Sequence, residues 1–291
     1  MLKAGEAVQK LKIVIPKGRI HEGVVRLLND AGFGIETDDR VYRPRVGDLE
    51  VEVKIMKPQN IPQLVELGSH DVGFTGMDWI AESGADLAEI ADLKLDPVSI
   101  VAAVPEALLH EDLHKRRIVV ASEYQSLARA FLERERYDFV LLRTYGATEV
   151  FPPEDADMIV DNVSTGRTLA EHDLRIIATL MDSSTRFIAN RKALLDPWKS
   201  EKIARLKMLL TAVIDARGRV MLEMNISGEK LEEIVKILPC MRSPTVAPLY
   251  GEQGYAVKIA VKREEVPALI PLLKKMGATD ILEFELRKVL I

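Results

Sequence analysis

The chain has 291 residues, 47% of them apolar and 29% charged, with a net charge of −5. This balance is ordinary for a soluble globular protein of about two domains and argues against broad nucleic-acid binding. No apolar run approaches the ~20 residues of a membrane span, the first ten residues lack the apolar core of a secretory signal, and a single cysteine, Cys240, excludes an internal disulfide; a cytoplasmic protein is expected.

In chain order, residues 11–16 read as a strand ending at Pro16. Lys17-Gly18-Arg19 makes the turn, and Val24, Val25, Leu27 and Leu28 give an amphipathic helix that stops at Gly32. A strand–glycine turn–helix at the start of an α/β chain sets its turn at the carboxyl edge of the sheet, where ligands bind. That placement singles out Lys17 and Arg19 among the early cations Arg43, Arg45, Lys54 and Lys57. Residues 51–56 alternate as a strand, 61–67 form a short helix, and 71–76 read as a buried strand entering a second glycine turn, with Asp78 beyond it. Residues 97–104 are nearly all apolar and read as another buried strand. A βα series follows: strand 117–121, helix 123–136, strand 138–142, then strand 157–160, a loop and a helix. Two strands, 175–181 and 186–189, precede a long helix over 198–217. After Gly218 the order is strand 219–226, helix 228–238, strands 243–249 and 255–262, helix 264–276 and strand 279–288. That βαββαβ order is the ferredoxin-like split unit.

The segment Met158-Ile159-Val160-Asp161-Asn162-Val163-Ser164-Thr165-Gly166-Arg167-Thr168 carries the most chemistry. An apolar strand runs into an acid, then into hydroxyls, a glycine and a helix start. Backbone N–H groups of such a turn converge on an anion, and hydroxyls add donors. Asp161, at the strand's carboxyl end, is placed to hold a sugar hydroxyl or a hydrated metal. No G-x-x-x-x-G-K-[ST] and no complete G-x-G-x-x-G is present, so neither common nucleotide motif explains the loop.

This loop resembles the 5-phosphoribosyl-1-pyrophosphate (PRPP) loop of phosphoribosyltransferases, with Asn162 where those loops carry a second acid. Three further stretches extend the likeness: Lys17-Gly18-Arg19; Gly68-Ser69-His70-Asp71-Val72-Gly73-Phe74-Thr75-Gly76-Met77-Asp78; and Ser243-Pro244-Thr245-Val246-Ala247-Pro248-Leu249. Together with Glu149 and Asp155-Ala156-Asp157 ahead of the loop, they make nearly the whole chain similar to long-form ATP phosphoribosyltransferases of histidine biosynthesis. The resemblance implies an α/β fold: a two-lobed, periplasmic-binding-protein-like catalytic core plus a C-terminal ferredoxin-like α+β regulatory domain. The expected bounds are 1–103 with 182–213 for one lobe, 104–181 for the second and 214–291 for the tail.

The implied reaction joins ATP to PRPP, with Mg²⁺ as cofactor held mainly by substrate phosphates. The resemblance places Lys17, Arg19, Glu149 and Asp161 in catalysis. Asp161, Asn162, Val163, Ser164, Thr165, Gly166, Arg167 and Thr168 would bind PRPP, and Thr75, Gly76 and Asp78 would line the opposite, ATP-side wall. It also implies a homo-oligomer, dimer or hexamer, inhibited by histidine near Asn225 and Thr245; at position 225 an acid would be the natural partner for the amino group. Two other readings stay open: a phosphoribosyltransferase acting on another base, and a non-enzymatic two-lobed binding protein. His110-Glu111-Asp112-Leu113-His114 formally matches the zinc-protease H-E-x-x-H, but the Lys115-Arg116-Arg117 that follows makes it read as a solvated connection.

Overall fold

The structure, a computed structural model, describes residues 9–36, 41–251 and 253–290; most of the N-terminal stretch read above as no secretory signal lies outside them. The chain runs β1 (Leu11–Pro16), α1 (His21–Ala31), β2 (Val51–Met56), α2 (Ile61–Glu66), β3 (Val72–Gly76), α3 (Met77–Ser83), β4 (Ala88–Asp92) and β5 (Val98–Pro105). It continues with β6 (Ile118–Ser122), α4 (Gln125–Arg134), β7 (Phe139–Arg143), β8 (Met158–Val163), α5 (Arg167–Glu171), β9 (Leu174–Ser183), β10 (Thr185–Ala189) and α6 (Pro197–Arg217). The tail holds β11 (Arg219–Ser227), α7 (Leu231–Val235), β12 (Thr245–Pro248), β13 (Gly254–Lys262), α8 (Val266–Met276) and β14 (Thr279–Glu285). None of the helices among the described residues is long and apolar enough to cross a membrane.

Two compact units result, residues 1–29 with 33–204, and residues 30–32 with 205–291. The first contains two five-stranded mixed sheets, ordered β2-β1-β3-β10-β4 and β7-β6-β8-β5-β9. In each, four strands run in one direction and one, β10 or β5, runs against them between its two neighbours. Strands covered on both faces lose their alternation: Ile13, Val14 and Ile15 are all buried, as are Met158, Ile159 and Val160. The second sheet packs Ile100, Ala102, Val104, Val120 and Val160 with Phe131 and Leu132 of α4. Each of these side chains larger than alanine contributes roughly 1.5–3 kcal/mol by leaving water.

Two details differ from the sequence reading. The strand expected in the first lobe, β5, hydrogen-bonds to β8 and β9, so the chain crosses between sheets before residue 98 rather than after 103. β4 was not expected at all: Ala88-Glu89-Ile90-Ala91-Asp92 has one large apolar side chain, and its pairing with β10 holds it as an edge strand. The tail is a four-stranded antiparallel sheet in the order β12-β13-β11-β14, the ferredoxin-like arrangement expected from βαββαβ. Its buried face carries Val220, Leu222, Met224 and Ile226, packed with Val266, Leu269 and Leu273 of α8.

Candidate active site

The phosphate-type loop lies where β8 leaves the core. Met158 to Val160 are buried, Asp161 to Val163 are half-buried, and Ser164, Thr165, Arg167 and Thr168 are exposed. Gly166 caps α5 with φ of 76°, a left-handed conformation in which a side chain is strained. The turn wraps a hollow of about 270 Å³ lined by Glu149 and by every residue from Asp161 to Leu169. Sequence neighbours 161–168 thus converge on one concavity, and Glu149 joins them from a short 3₁₀ turn, Thr148–Val150. Arg167 lies along α5, its Nε 2.8 Å from Glu171 Oε1. Exposed hydroxyls around a hollow at the start of a helix can receive a phosphate ester.

Asp161 is the electrostatic centre of this cradle. Burial pushes its carboxyl up to about 6 from the usual 3.8. The Asn162 N–H and the Thr148 hydroxyl pull it down, and the negative charges of Glu149 and Glu123 push it up again. Its Oδ1 accepts from the Asn162 backbone N–H at 2.7 Å and from Asn162 Nδ2 at 3.1 Å. The amide at position 162 therefore serves its neighbour acid. A carboxylate held near neutrality responds to any cationic or polar group brought beside it.

A larger cavity of about 570 Å³ lies between the two sheets' lobes. One wall comprises Lys57, Gln59, Asn60, Gln63, Trp79, Glu82 and Ser83; the other comprises Glu123, Gln125, Ser126, Arg143, Thr144 and Tyr145. Glu123 links the two hollows: it lines this one, and its charge acts on Asp161. Gln59 reaches Glu123 through Nε2 at 3.5 Å, while its buried Oε1 has no hydrogen-bond partner.

The opposite-wall residues are placed differently from the expectation. Thr75 is fully buried and its hydroxyl donates to the Pro58 carbonyl at 3.0 Å, so it does not line the cavity. Asp78 is 3% exposed. Its Oδ2 accepts from the Tyr124 hydroxyl at 2.7 Å and its Oδ1 from the Ser183 hydroxyl at 2.6 Å. Gly76 makes this possible, because a Cβ there would lie 1.9 Å from Asp78 Oδ1. Trp79 stacks on Tyr124 with centroids 4.5 Å apart. Burial first, then the Asp78 carboxylate, hold the Tyr124 phenol protonated far above its usual range. This group joins the lobes across their interior.

The early cations divide in the same way. Lys17 Nζ sits 3.4 Å from the Tyr42 hydroxyl and 5.0 Å from its ring centroid, and Arg19 donates to the Asp96 carbonyl at 3.1 Å. Neither lines either cavity; the cations that do line the larger one are Lys57 and Arg143. Lys57 follows β2, Glu123 follows β6 and Arg143 ends β7, all at carboxyl ends of parallel strands. The rule that singled out Lys17 and Arg19 was available for these three as well. The H-E-x-x-H stretch forms no α-helix: Leu113–Lys115 is a single 3₁₀ turn, and His114 stacks on Tyr137 at 4.2 Å.

In the tail, Thr245 is in register with Lys258, and Lys258 with Glu223, to which it is salt-bridged at 3.2 Å. Asn225 lies two residues further along β11, opposite Ala256, so Thr245 and Asn225 do not face each other across the sheet. An acid of β14 stands beside Asn225: Asp280 Oδ2 accepts from Asn225 Nδ2 at 3.0 Å and from Thr279 Oγ1 at 2.9 Å.

A two-lobed α/β body with an anion cradle and a carboxylate at its rim has the form of a protein that handles a phosphorylated small molecule. Comparison with known sequences narrows the class. Residues 57–212 match the family described as ATP phosphoribosyltransferase, and residues 216–288 the family described as HisG, C-terminal domain. The ATP phosphoribosyltransferase of Desulforudis audaxviator is 38% identical over 289 residues, 97% of this chain and 99% of that one. That of Chlorobium phaeovibrioides is 40% identical over 288 residues, 96% and 97% of the two chains. A solved structure titled as the ATP phosphoribosyl transferase (HisG:HisZ) complex from Thermotoga maritima shares the fold with TM-score 0.63 at 24% identity, covering 70% of this chain and 98% of that one. The chain belongs to the ATP phosphoribosyltransferase family.

Proposed function

We propose that the protein joins ATP to PRPP, giving N1-(5-phosphoribosyl)-ATP and pyrophosphate, the first step of histidine biosynthesis. Family membership supports the ATP and phosphoribosyl chemistry, and the convergence of Glu149 and residues 161–168 on one hollow is the observation that carries the site. In this reading Ser164, Thr165, Thr168 and the α5 backbone hold the 5-phosphate. Asp161, aided by Glu149, holds the ribose hydroxyls and faces the positive charge that grows as the C1–O bond breaks. N1 of adenine supplies its lone pair to C1 as pyrophosphate leaves. N1 needs no base, so the rate rests on positioning and electrostatics. The 570 Å³ cavity takes the nucleotide, with Lys57 and Arg143 as its cations. Lys17 and Arg19 reach phosphates only by leaving Tyr42 and Asp96.

Mg²⁺ fits the donor set at the rim. Glu149 and Asp161 are oxygen donors, and this ion commonly uses one or two carboxylates together with substrate phosphates. When bound, it neutralises charge on the departing pyrophosphate. Residues 214–291 carry assembly into a homo-oligomer and inhibition by histidine, with Thr245 contacting the ligand and Asp280, beside Asn225, offering the charge that Asn225 lacks.

The test is pyrophosphate release and the absorbance of the N1-substituted adenine on mixing protein, ATP, PRPP and Mg²⁺. Turnover is expected, lost with EDTA, restored by Mg²⁺ and slowed by histidine. Turnover with another base but not ATP would favour the alternative phosphoribosyltransferase. Ligand binding without pyrophosphate release would favour a binding protein.

A further inference from the structure

The N-terminus of α4 is capped by a residue from the other lobe. The first backbone N–H groups of a helix have no partners within it, and a helix usually satisfies them with a side chain at its own N-cap. Here the N-cap residue, Tyr124, makes no such bond; its hydroxyl is turned away to Asp78. The cap comes from Glu82 of α3, 44 residues earlier. Ser126 N–H lies 2.9 and 3.0 Å from the two oxygens of the Glu82 carboxylate, and Leu127 N–H donates to Oε2 at 3.0 Å. The negative charge also meets the positive end of the α4 dipole.

Asp78 and Glu82 are four residues apart on α3 and so share one face. Asp78 grips Tyr124 and Glu82 grips Ser126 and Leu127, so one helix of the first lobe holds the first turn of one helix of the second at two points. The two grips differ. Asp78 is 3% exposed and its removal would orphan buried hydroxyls. Glu82 is half-buried and lines the larger cavity, so its removal returns two backbone N–H groups to water. A contact of that kind can be lost without unfolding the protein.

We propose that Glu82 is a positioning residue that latches the lobes at the opening needed for two-substrate binding, by capping α4 across the cleft. Glu82 touches no reacting atom in this assignment. It fixes how far Lys57 stands from Arg143, one on each wall. Freed of the latch, the lobes sample wider openings, and each substrate must first draw them together. Apparent affinity then falls in proportion to the fraction of competent molecules, while chemistry in the closed state is unchanged. The kinetic half of this proposal rests on the reaction proposed above; the structural half does not.

The experiment uses the full chain on a Cys240→Ser background with spin labels at Leu67→Cys and Val140→Cys, both exposed positions on opposite lobes. In the substrate-free protein, Glu82→Ala should broaden and lengthen the interlobe distance distribution. In the unlabelled enzyme the readout is KM for PRPP, whose cradle Glu82 does not line. It should rise by about three- to tenfold with kcat within about twofold, whereas a rise in KM for ATP alone would mark only a lost contact in the larger cavity and would overturn the latch. Glu82→Gln keeps one acceptor oxygen and the side-chain shape, so it should fall between Ala and wild type in both measurements. Should Glu82→Ala fail to fold, Glu82→Gln alone must still show the longer distance. An unchanged distance distribution in the folded variants overturns the latch, and so does a loss confined to kcat. If the wild-type protein releases no pyrophosphate from ATP and PRPP, the proposed reaction fails while the distance measurement still decides the latch.

Discussion

Two turns of this protein begin with the same dipeptide at the end of a strand and differ in everything that follows. Thr75-Gly76 closes β3 and opens α3; Thr165-Gly166 follows β8 and opens α5. In the first, the threonine hydroxyl is given to Pro58 O, the glycine is extended with φ of −74°, and the next acid, Asp78, is enclosed by Tyr124 and Ser183. In the second, the threonine is exposed, the glycine is left-handed at φ of 76°, and the acid precedes the turn. One turn spends its polar groups on the protein and becomes a joint between lobes. The other leaves them facing a hollow. A Thr-Gly turn is therefore a site only where the fold has not already satisfied its donors.

The strongest test of this contrast is the glycine exchange. Gly76→Ala puts a Cβ 1.9 Å from Asp78 Oδ1, so the carboxylate must move and release both hydroxyls. Unfolding free energy should drop by about 3 kcal/mol, the upper range for overpacking a closed site. Gly166→Ala meets nothing closer than 3.9 Å and bears only the left-handed backbone, at roughly 1–2 kcal/mol. Denaturant melts of the two variants decide it; equal losses would erase the difference between joint and cradle.

The parts of the fold that were legible are those in which one strong periodicity or a glycine decides the outcome. β1 and the apolar start of β8 read correctly because their apolar runs have one burial solution, although β8 continues past 160 to Val163 through its pairing with β5. α6 reads from Ile203, Leu206, Leu210 and Val213, which recur on one buried face, and the tail's βαββαβ order is local. Sheet membership was less legible: β5 is equally apolar in either lobe, and only its pairing with β8 and β9 assigns it. The cradle residues were legible because they are contiguous. The larger cavity was not, because Lys57, Glu123 and Arg143 come from three strand ends, and each alone looks like a surface charge. Asp280 was invisible for a related reason: it reaches Asn225 only through the pairing of β11 with β14.

A milder test exchanges the two threonines for valine, which keeps the shape and removes the hydroxyl. Thr165→Val should weaken PRPP binding by roughly 2 kcal/mol, the scale of one bond to a charged group, and leave the melting curve in place. Thr75→Val should do the reverse, lowering stability by about 1 kcal/mol through the lost bond to Pro58 with PRPP affinity unchanged. Titration calorimetry beside thermal melts separates them. If both variants lose affinity, Thr75 lies closer to the ligand than its burial allows.

The smallest expected effect comes from the acid that the cradle leaves half-satisfied. Asp161 holds its proton in the folded state up to about pH 6 but only to its usual 3.8 when unfolded. Between those values the folded protein binds more protons than the unfolded chain, so stability falls as pH rises through the window and is greatest below it. Asp161→Asn removes that decline. At neutral pH the substrate-free variant should be more stable than wild type, on the order of 1 kcal/mol after allowance for solvent screening, and the two should converge below about pH 4. Activity should move the opposite way. If the ionised carboxylate serves the ribose, wild-type kcat/KM falls as pH drops through about 6, and the variant is low and flat across the range. The opposed signs are the point of the measurement, since a purely structural aspartate would lower stability and activity together. Melting curves of variant and wild type that coincide at every pH would show that Asp161 ionises as freely as a surface carboxylate, and the contrast between the two turns would keep its geometry but lose its electrostatics.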